Sequence, residues 1–373
     1  MKFSRMAVCA ALLAASVAAT AATPRYAVTD LGIYGAWGAF GDGRDINAAG
    51  QVLGTAFVGD SQLAFVYGAG TLTNLGSYAG PNGFSTGNSI NNAGQVVGYY
   101  WASDDGPNRA FLYSNGTTTD ITPAGAQSGM ALGLNNLGQA VGYSYTGAGQ
   151  QAFLYSNGTT TYLGISGNYS EASAINDAGQ IVGYSITLTG DFHAFLYQGG
   201  QVADLGTLAG GSSSFAKAIS QNGLVAGNGN VDDAHSHAFL YGGGAMTDLG
   251  VLAGNAALGA GDSSYASDVN NAGQVVGFSW FTGGQRHAFL YSDGQMLDLN
   301  DLIDPASGWT LRGARGINEH GDIAAYGCKA NSGCTALLLT AQAVPEPATW
   351  AFMLGGLALV GALRRRAAST PNA

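Results

Sequence analysis

Charge is scarce in this 373-residue chain, and positive charge is scarcest. Only 10% of residues are charged, and 13 are Lys or Arg. Between Thr23 and Val344 there are 8 Lys and Arg against 22 Asp and Glu, a formal charge of −14. A surface that acidic excludes nucleic acid and an anionic bilayer as partners. It suits an exported protein that must stay soluble. Cysteine is nearly absent, with three in the whole chain. The body of the chain shows no sustained 3.6-residue apolar period, which excludes a helical domain. Glycine, by contrast, is abundant at 60 residues, more than twice the usual share. It recurs at turns rather than in a linker, which excludes disorder as its meaning.

What is present is a repeated sentence. Ala266–Tyr291, ASDVNNAGQVVGFSWFTGGQRHAFLY, holds a turn (Asn270, Asn271, Gly273), a valine pair, a variable gap and an apolar run ending in Tyr291. The turn asparagine recurs at Asn47, Asn91, Asn135, Asn176 and Asn318, with Ser220 in its place once. The aromatic of the Ala-Phe pair recurs at Phe65, Phe111, Phe153, Phe195 and Phe239, with Leu337 in the last copy. Seven copies spaced 41 to 50 residues apart indicate a repeat architecture. Each copy reads as four short strands separated by Gly, Asn or Asp, here over 265–270, 274–279, 287–291 and 296–299. That is the pattern of a β-propeller blade. Tyr26–Gly32 matches a fourth strand (compare Thr247–Gly250), and the seventh copy has only its first three strands (313–318, 322–326, 335–340). The expected fold is all-β: a seven-bladed propeller of four-stranded blades over 24–341, whose N-terminal strand completes the last blade. Such closure leaves no open edge.

The phrases A-F-L-Y, I-N-x-x-G-Q-V-V-G and D-L-G, in fixed order over about 26–340, resemble the HAF-repeat family of bacterial extracellular proteins. His193, His237 and His287 carry the His-Ala-Phe triplet itself; blade 1 (Leu63) and blade 7 (Thr335, Leu337) depart from it. The resemblance implies an extracellular location and a repeat architecture, not an activity.

The two ends read as targeting segments. Residues 1–22 have Lys2 and Arg5, an apolar stretch and small residues at Ala19-Thr20-Ala21, which is a secretory signal peptide for signal peptidase. In the oxidising compartment beyond, Cys328 and Cys334 flank a short gap between two strands and are expected to pair; no neighbouring Cys or His set makes them a metal site. The tail, 342–373, runs from Pro345-Glu346-Pro347 through an apolar span, 348–363, to Arg364-Arg365-Arg366. As a single transmembrane helix the span would reach roughly 24 Å, close to a bilayer core, with the arginines cytoplasmic. The order resembles a PEP-CTERM sorting signal. It implies a Gram-negative bacterium, a transient inner-membrane tether, recognition by an exosortase and delivery to the cell surface or the exopolysaccharide matrix. The flat Thr-rich array that ice binding would want is missing.

Chemistry is thin, and no catalytic residue is nominated. Gly83-Phe84-Ser85-Thr86-Gly87 fits G-x-S-x-G but leads into a strand, where a nucleophile elbow needs a helix. The three triplet histidines fall one per blade and share their position with Leu63, Arg109, Gln151 and Thr335, which points to a structural role and to no metal centre. Asp104-Asp105-Gly106 and Asp232-Asp233 offer oxygens of the kind calcium takes, without the ligand count of a known loop. No other cofactor is indicated. The loops between strands 2 and 3 and strands 4 and 1 vary in length and emerge on one face, where binding usually lives. Trp37, Trp101, Trp280 and Trp309 fall there, assigned to the rims of blades 7/1, 1, 6 and 6/7, with Asp104, Arg109, Asp262 and Arg286 close in sequence. Rings that stack on sugar C–H faces beside Asp and Arg suit a polysaccharide. The reading is a non-catalytic, surface-sorted binding module for extracellular polysaccharide or another surface component. The alternatives are a polysaccharide-acting enzyme using the central cleft, where Arg44, Asp45, Glu171, Lys217, Asp268 and Arg315 are the charges in or near the first strands, and a structural matrix protein.

Overall fold

The structure is a computed structural model that describes residues 25–342, except 33–40, 59–60, 77–82, 102–105, 255–260, 282–283 and 331–332. The signal-peptide and sorting-tail segments, with Trp37 and Asp104, lie outside the described residues. Among the described residues no helix is long and apolar enough to cross a membrane.

Residues Arg25–Gln342 form one compact unit of seven four-stranded antiparallel sheets. Blade 1 is β2–β5 (Asp42–Ile46, Val52–Val58, Ser61–Gly68, Thr71–Asn74). Blade 2 is β6–β9 (Phe84–Ile90, Val96–Trp101, Arg109–Ser114, Thr117–Asp120). Blade 3 is β10–β13 (Ser128–Leu134, Ala140–Thr146, Gly149–Ser156, Thr159–Tyr162), and blade 4 is β14–β17 (Ser170–Ile175, Ile181–Ile186, Phe192–Gln198, Gln201–Asp204). Blade 5 is β18–β21 (Ser214–Ile219, Val225–Asn230, Ser236–Gly242, Ala245–Asp248), and blade 6 is β22–β25 (Gly261–Val269, Val275–Phe281, Gln285–Ser292, Gln295–Asp298). Blade 7 joins β26 (Thr310–Ile317), β27 (Ile323–Lys329) and β28 (Gly333–Gln342) to β1 (Arg25–Asp30), which pairs with β28 from Arg25↔Gln342 to Asp30↔Leu337. The first strand of the chain thus completes the last blade. Two assignments from the sequence change, because the second strands run past the ends read from sequence: Trp101 is the last residue of β7 in blade 2, not a loop residue of blade 1, and Trp280 lies within β23 of blade 6, not in a loop.

The repeat phrases each have a packing reason. The Ala-Phe pair supplies the core: Phe111, Phe153, Phe195, Phe239 and Phe289 are fully buried, one per blade interface. The glycine of V-V-G faces that ring and the inner strand; a Cβ at Gly277 would run into the Tyr265 carbonyl and the Phe289 ring. Turns from strand 3 to strand 4 are two-residue hairpins with both residues at positive φ, as at Asn115-Gly116 and Asn157-Gly158, the conformation that Asn-Gly favours. The aspartate of D-L-G caps the chain as it leaves strand 4, as when Asp248 Oδ1 accepts from Gly250 N at 2.7 Å.

The turn asparagine joins blade to blade. Asn91 Oδ1 accepts from Ala93 N and Gln95 N inside its own turn, and Asn91 Nδ2 donates to Gln95 Oε1 at 2.7 Å and to the Asn135 carbonyl of the next blade at 3.0 Å. Asn47, Asn135, Asn176 and Asn270 repeat the inter-blade bond, and Asn318 closes the circuit on the Asn47 carbonyl at 3.2 Å. Ser220 keeps its turn by accepting from Leu224 N, but the step to blade 6 passes to Asn222, whose Nδ2 donates to the Asn271 carbonyl.

Two measurements check this account. Asn91→Ser should keep the turn and lose the inter-blade bond, costing about 1 kcal/mol, while Asn91→Ala also orphans buried N–H groups and should cost about 2–4 kcal/mol. Equal unfolding free energies in urea for the two variants would contradict the ring. Removal of residues 25–30 should expose β28 as an edge and lower the melting temperature with aggregation; an unchanged melting profile would contradict closure by β1.

Candidate functional site

Every innermost strand carries a β-bulge at the same place. The register shifts between Gly43 and Asp45, Gly87 and Ser89, Ala131 and Gly133, Ala172 and Ala174, Ala216 and Ala218, Ala266 and Asp268, and Ala314 and Gly316. A bulge re-aims the extra residue out of the ladder. Here the extra residues are Arg44, Asn88, Leu132, Ser173, Lys217, Ser267 and Arg315, and all seven line a cavity of ≈ 280 Å³ at the blades' inner edges. A second cavity of ≈ 400 Å³ shares Asn88, Leu132, Ser173, Lys217, Ser267 and Arg315 with it and adds Glu171, Tyr265 and Phe278.

The residue after the bulge ties neighbouring blades together. Asp45 Oδ2 accepts from Ser89 Oγ and Ile90 N of blade 2, both at 2.9 Å, while Oδ1 accepts from Ile46 N. Asp268 does the same between blades 6 and 7, accepting from Val269 N and Ile317 N at 2.8 Å. Loss of bulk water raises both carboxyls above the usual range, and the charge of Asp45 raises Asp268 further.

On the second strand, the residue following V-V-G, or its counterparts A-V-G, I-V-G and I-A-A, is aromatic in five blades: Tyr99, Tyr143, Tyr184, Phe278 and Tyr326. Tyr184 donates to Glu171 Oε2 at 2.9 Å, and Lys217 Nζ stands 3.8 Å from Glu171 Oε1 and over the Tyr184 ring. Tyr169, Phe192 and Phe215 pack round Tyr184. Across the ring, Arg286 lies 5.0 Å from the Phe278 and Tyr326 centroids and 5.6 Å from Trp280, and Arg315 lies over the same Phe278 and Tyr326 rings. Burial pulls the Arg286 pKa down, and Arg315 and Arg312 push it the same way.

A third cavity of ≈ 210 Å³ opens beside these arginines. It is lined by Asp42, Arg44, Thr55, Phe57, Gln62, Arg286, Arg315 and Tyr326. Among the described residues seven buried side-chain polar atoms lack a hydrogen-bond partner. Five of them belong to this lining: Asp42 Oδ1, Arg44 Nε, Thr55 Oγ1, Arg315 Nε and Tyr326 OH. A sixth, Arg312 Nε, belongs to the arginine whose charge acts on Arg286. So a chain poor in cations gathers Arg44, Lys217, Arg286 and Arg315, four of the eight between Thr23 and Val344, around these cavities, with the charge of Arg312 acting on Arg286.

The residues nominated from sequence are scattered unevenly. Trp101, Trp280 and Trp309 are half-buried and lie toward the end of the disc where strand 2 finishes and strand 1 begins. Trp101 stacks on Phe84 at 5.0 Å, and Trp309 sits under Lys329 Nζ at 4.4 Å. With Trp101 in blade 2, the described tryptophans do not form an unbroken row of neighbouring blades. Arg286 belongs to the inner wall. Arg109 does not: both Nε and Nη2 bind Asp120 of its own blade, at 2.9 and 2.7 Å. It takes the place of the triplet histidine, whose Nδ1 in blades 4, 5 and 6 lies 2.6–2.9 Å from the strand-4 aspartate (Asp204, Asp248 or Asp298). Asp262 is a bulge residue of β22 whose charge acts on His235. Phe281, next to Trp280, is buried against His287. Cys328 and Cys334 are paired across β27 and β28 in a disulfide. Among the described residues no three His, Cys, Asp or Glu side chains converge as metal ligands, and Asp232 is engaged by His235. The strand-2 aromatics were missed, although their signal, an aromatic directly after V-V-G or its counterpart triplet, recurs in five copies of the repeat.

The wall makes one pH-dependent prediction. A carboxyl whose pKa is raised on folding contributes stability that is full below the usual carboxylate value and is lost as pH rises through the raised one. The wild-type melting temperature should therefore fall between about pH 4 and about pH 8. Asp268→Asn should be less stable throughout, because its amide meets an N–H donor, yet decline less steeply. Parallel pH profiles for wild type and variant would refute this.

Residues 343–366 match the model of the PEP-CTERM protein-sorting motif, the signal of an exported protein processed by an exosortase at the cell envelope. No curated protein matches the chain in sequence. Among solved structures, it resembles the β-propeller domain of the trilobed protease from Pyrococcus furiosus, described as having an open velcro topology. The identity is 9% and the TM-score 0.54, covering 83% of this chain and 100% of that one. It also resembles the Pyrococcus horikoshii acylaminoacyl peptidase (9% identity, TM-score 0.53, 81% of this chain and 52% of that) and a Mycobacterium tuberculosis puromycin-hydrolyzing peptidase (13% identity, TM-score 0.49, 77% and 48%). The chain spans about half the length of those two peptidases. At such identities the likeness is one of fold.

Proposed function

We propose that this chain is an exported, surface-sorted binding module without catalysis of its own, taking extracellular polysaccharide or another surface component at the inner wall of its propeller. The observation that carries the reading is the wall itself. Tyr99, Tyr143, Tyr184, Phe278 and Tyr326 stand at one repeat position of strand 2; Phe278 lines a cavity with the bulge residues, Tyr326 lines the arginine cavity, Lys217 lies over Tyr184, and the bulge residue is polar or cationic in six of the seven blades. Rings supply stacking area for sugar faces, and arginine, lysine and asparagine supply directional bonds to hydroxyls. Trp101 and Trp280 extend the aromatic surface outward along the same strands, beside the connections whose lengths vary. The sorting tail supports the setting, because a protein delivered to the envelope meets polysaccharide there. The repeat phrases, which resemble HAF repeats, fit the same location.

A glycan array probed with the 25–342 propeller tests this. Binding to at least one polysaccharide class is expected. Each aromatic contact contributes about 0.5–1.5 kcal/mol beyond area burial, so the double variant Trp101→Ala, Trp280→Ala should weaken binding by roughly one to two orders of magnitude. Retained affinity in a folded double variant, or no glycan bound at all, would rule the reading out.

A further inference from the structure

Resting on the polysaccharide reading, we infer that the small cavity among Arg44, Arg286, Arg315, Thr55 and Tyr326 is a subsite for the carboxylate of an acidic sugar, with Asp42 receiving a neighbouring hydroxyl. Three arginines meet there with a single carboxylate, Asp42, whose Oδ2 is 3.7 Å from Arg315 Nε. Arg286 and Arg315 are held side by side over the same Phe278 and Tyr326 rings. Packing two guanidinium groups together is unfavourable unless a counter-charge arrives, and the chain supplies too few.

The unused hydrogen-bond capacity names that counter-charge. Buried polar groups in folded proteins are almost always paired. Here Tyr326 is 5% exposed and Thr55 4%, yet Tyr326 OH, Thr55 Oγ1 and Arg44 Nε have no hydrogen-bond partner, and Arg315 Nε makes no hydrogen bond, only the 3.7 Å ion pair with Asp42. Those four atoms can donate, and Asp42 Oδ1 can only accept. A carboxylate takes two or more donors, most strongly from arginine, and an adjacent sugar hydroxyl donates to Asp42. A neutral sugar leaves the arginines uncompensated. The volume, ≈ 210 Å³, lies below the roughly 300–1,000 Å³ of ordinary small-molecule clefts, so one acidic sugar unit fills it while the rest of a chain lies along the aromatic wall.

The test uses the full-length chain in detergent, with calorimetric titration of galacturonic-acid trisaccharide, its methyl ester and neutral galacto-trisaccharide. A second arm follows the melting temperature with free galacturonate or acetate. The acidic trisaccharide should bind at least tenfold tighter than the ester, and Arg286→Gln and Arg315→Gln should each remove that preference. Tyr326→Phe, which keeps the ring and removes one donor, should weaken acidic binding severalfold while leaving the fold intact. Equal affinity for acid and ester would overturn the subsite and leave the polysaccharide reading standing. If no trisaccharide binds but galacturonate and acetate raise the melting temperature of wild type and not of Arg286→Gln, the anion site stands and the polysaccharide reading falls. If neither arm responds, or if wild type and Arg286→Gln respond alike, the subsite is wrong.

Discussion

The propeller depends on one side chain repeated round its rim, the asparagine of the tight turn between strands 1 and 2. Its oxygen closes the turn, and its nitrogen reaches the carbonyl of the next asparagine. The groups are buried, so each bond is worth more by not being lost than by being made: the net gain is about 0.5–1.5 kcal/mol, but an orphaned buried donor costs about 1–3 kcal/mol. The step from Asn318 to Asn47 joins the last copy of the turn to the first, 271 residues apart, so the circuit also fixes the number of blades. Closure of blade 7 by β1 fixes the same number through backbone bonds. Two independent locks hold one geometry.

With one end of the disc pinned in this way, the other end is free to vary. The bulge at the same depth of each inner strand then puts one unconstrained residue per blade toward the axis. These positions hold Arg, Asn, Leu, Ser, Lys, Ser and Arg in turn, while their neighbours, apart from the blade-tying Asp45 and Asp268, are Gly, Ala or Ser. Gly316 shows why: a Cβ there would come within 3.0 Å of Asp45 Cα in the next blade. The scaffold is therefore repetitive where blades touch and individual where they face the cavity. Three of the eight cations between Thr23 and Val344, Arg44, Lys217 and Arg315, lie at that individual layer, against the sign of the chain as a whole.

The sequence by itself determined the blade count, the strand order and the closing strand. Those follow from phrases whose chemistry is local: Asn and Gly for turns, a valine pair for a strand, Ala-Phe for a core contact. It also determined the sorting tail, a linear signal that needs no fold to be read. Only the tertiary structure decided the site. Arg44 and Arg315 are 271 residues apart, and nothing in either phrase says that a bulge turns both toward one cavity. A bulge leaves no mark in composition, since it changes register by one residue without changing residue type. Arg109 and Arg286 illustrate the same point in opposite directions. Arg109 holds the first triplet position of strand 3 and Arg286 the residue just before it, yet Asp120 of strand 4 claims one, while the rings of two blades hold the other. Which partner an arginine finds is a long-range fact, set by how neighbouring blades pack, and a single sequence records only the residue.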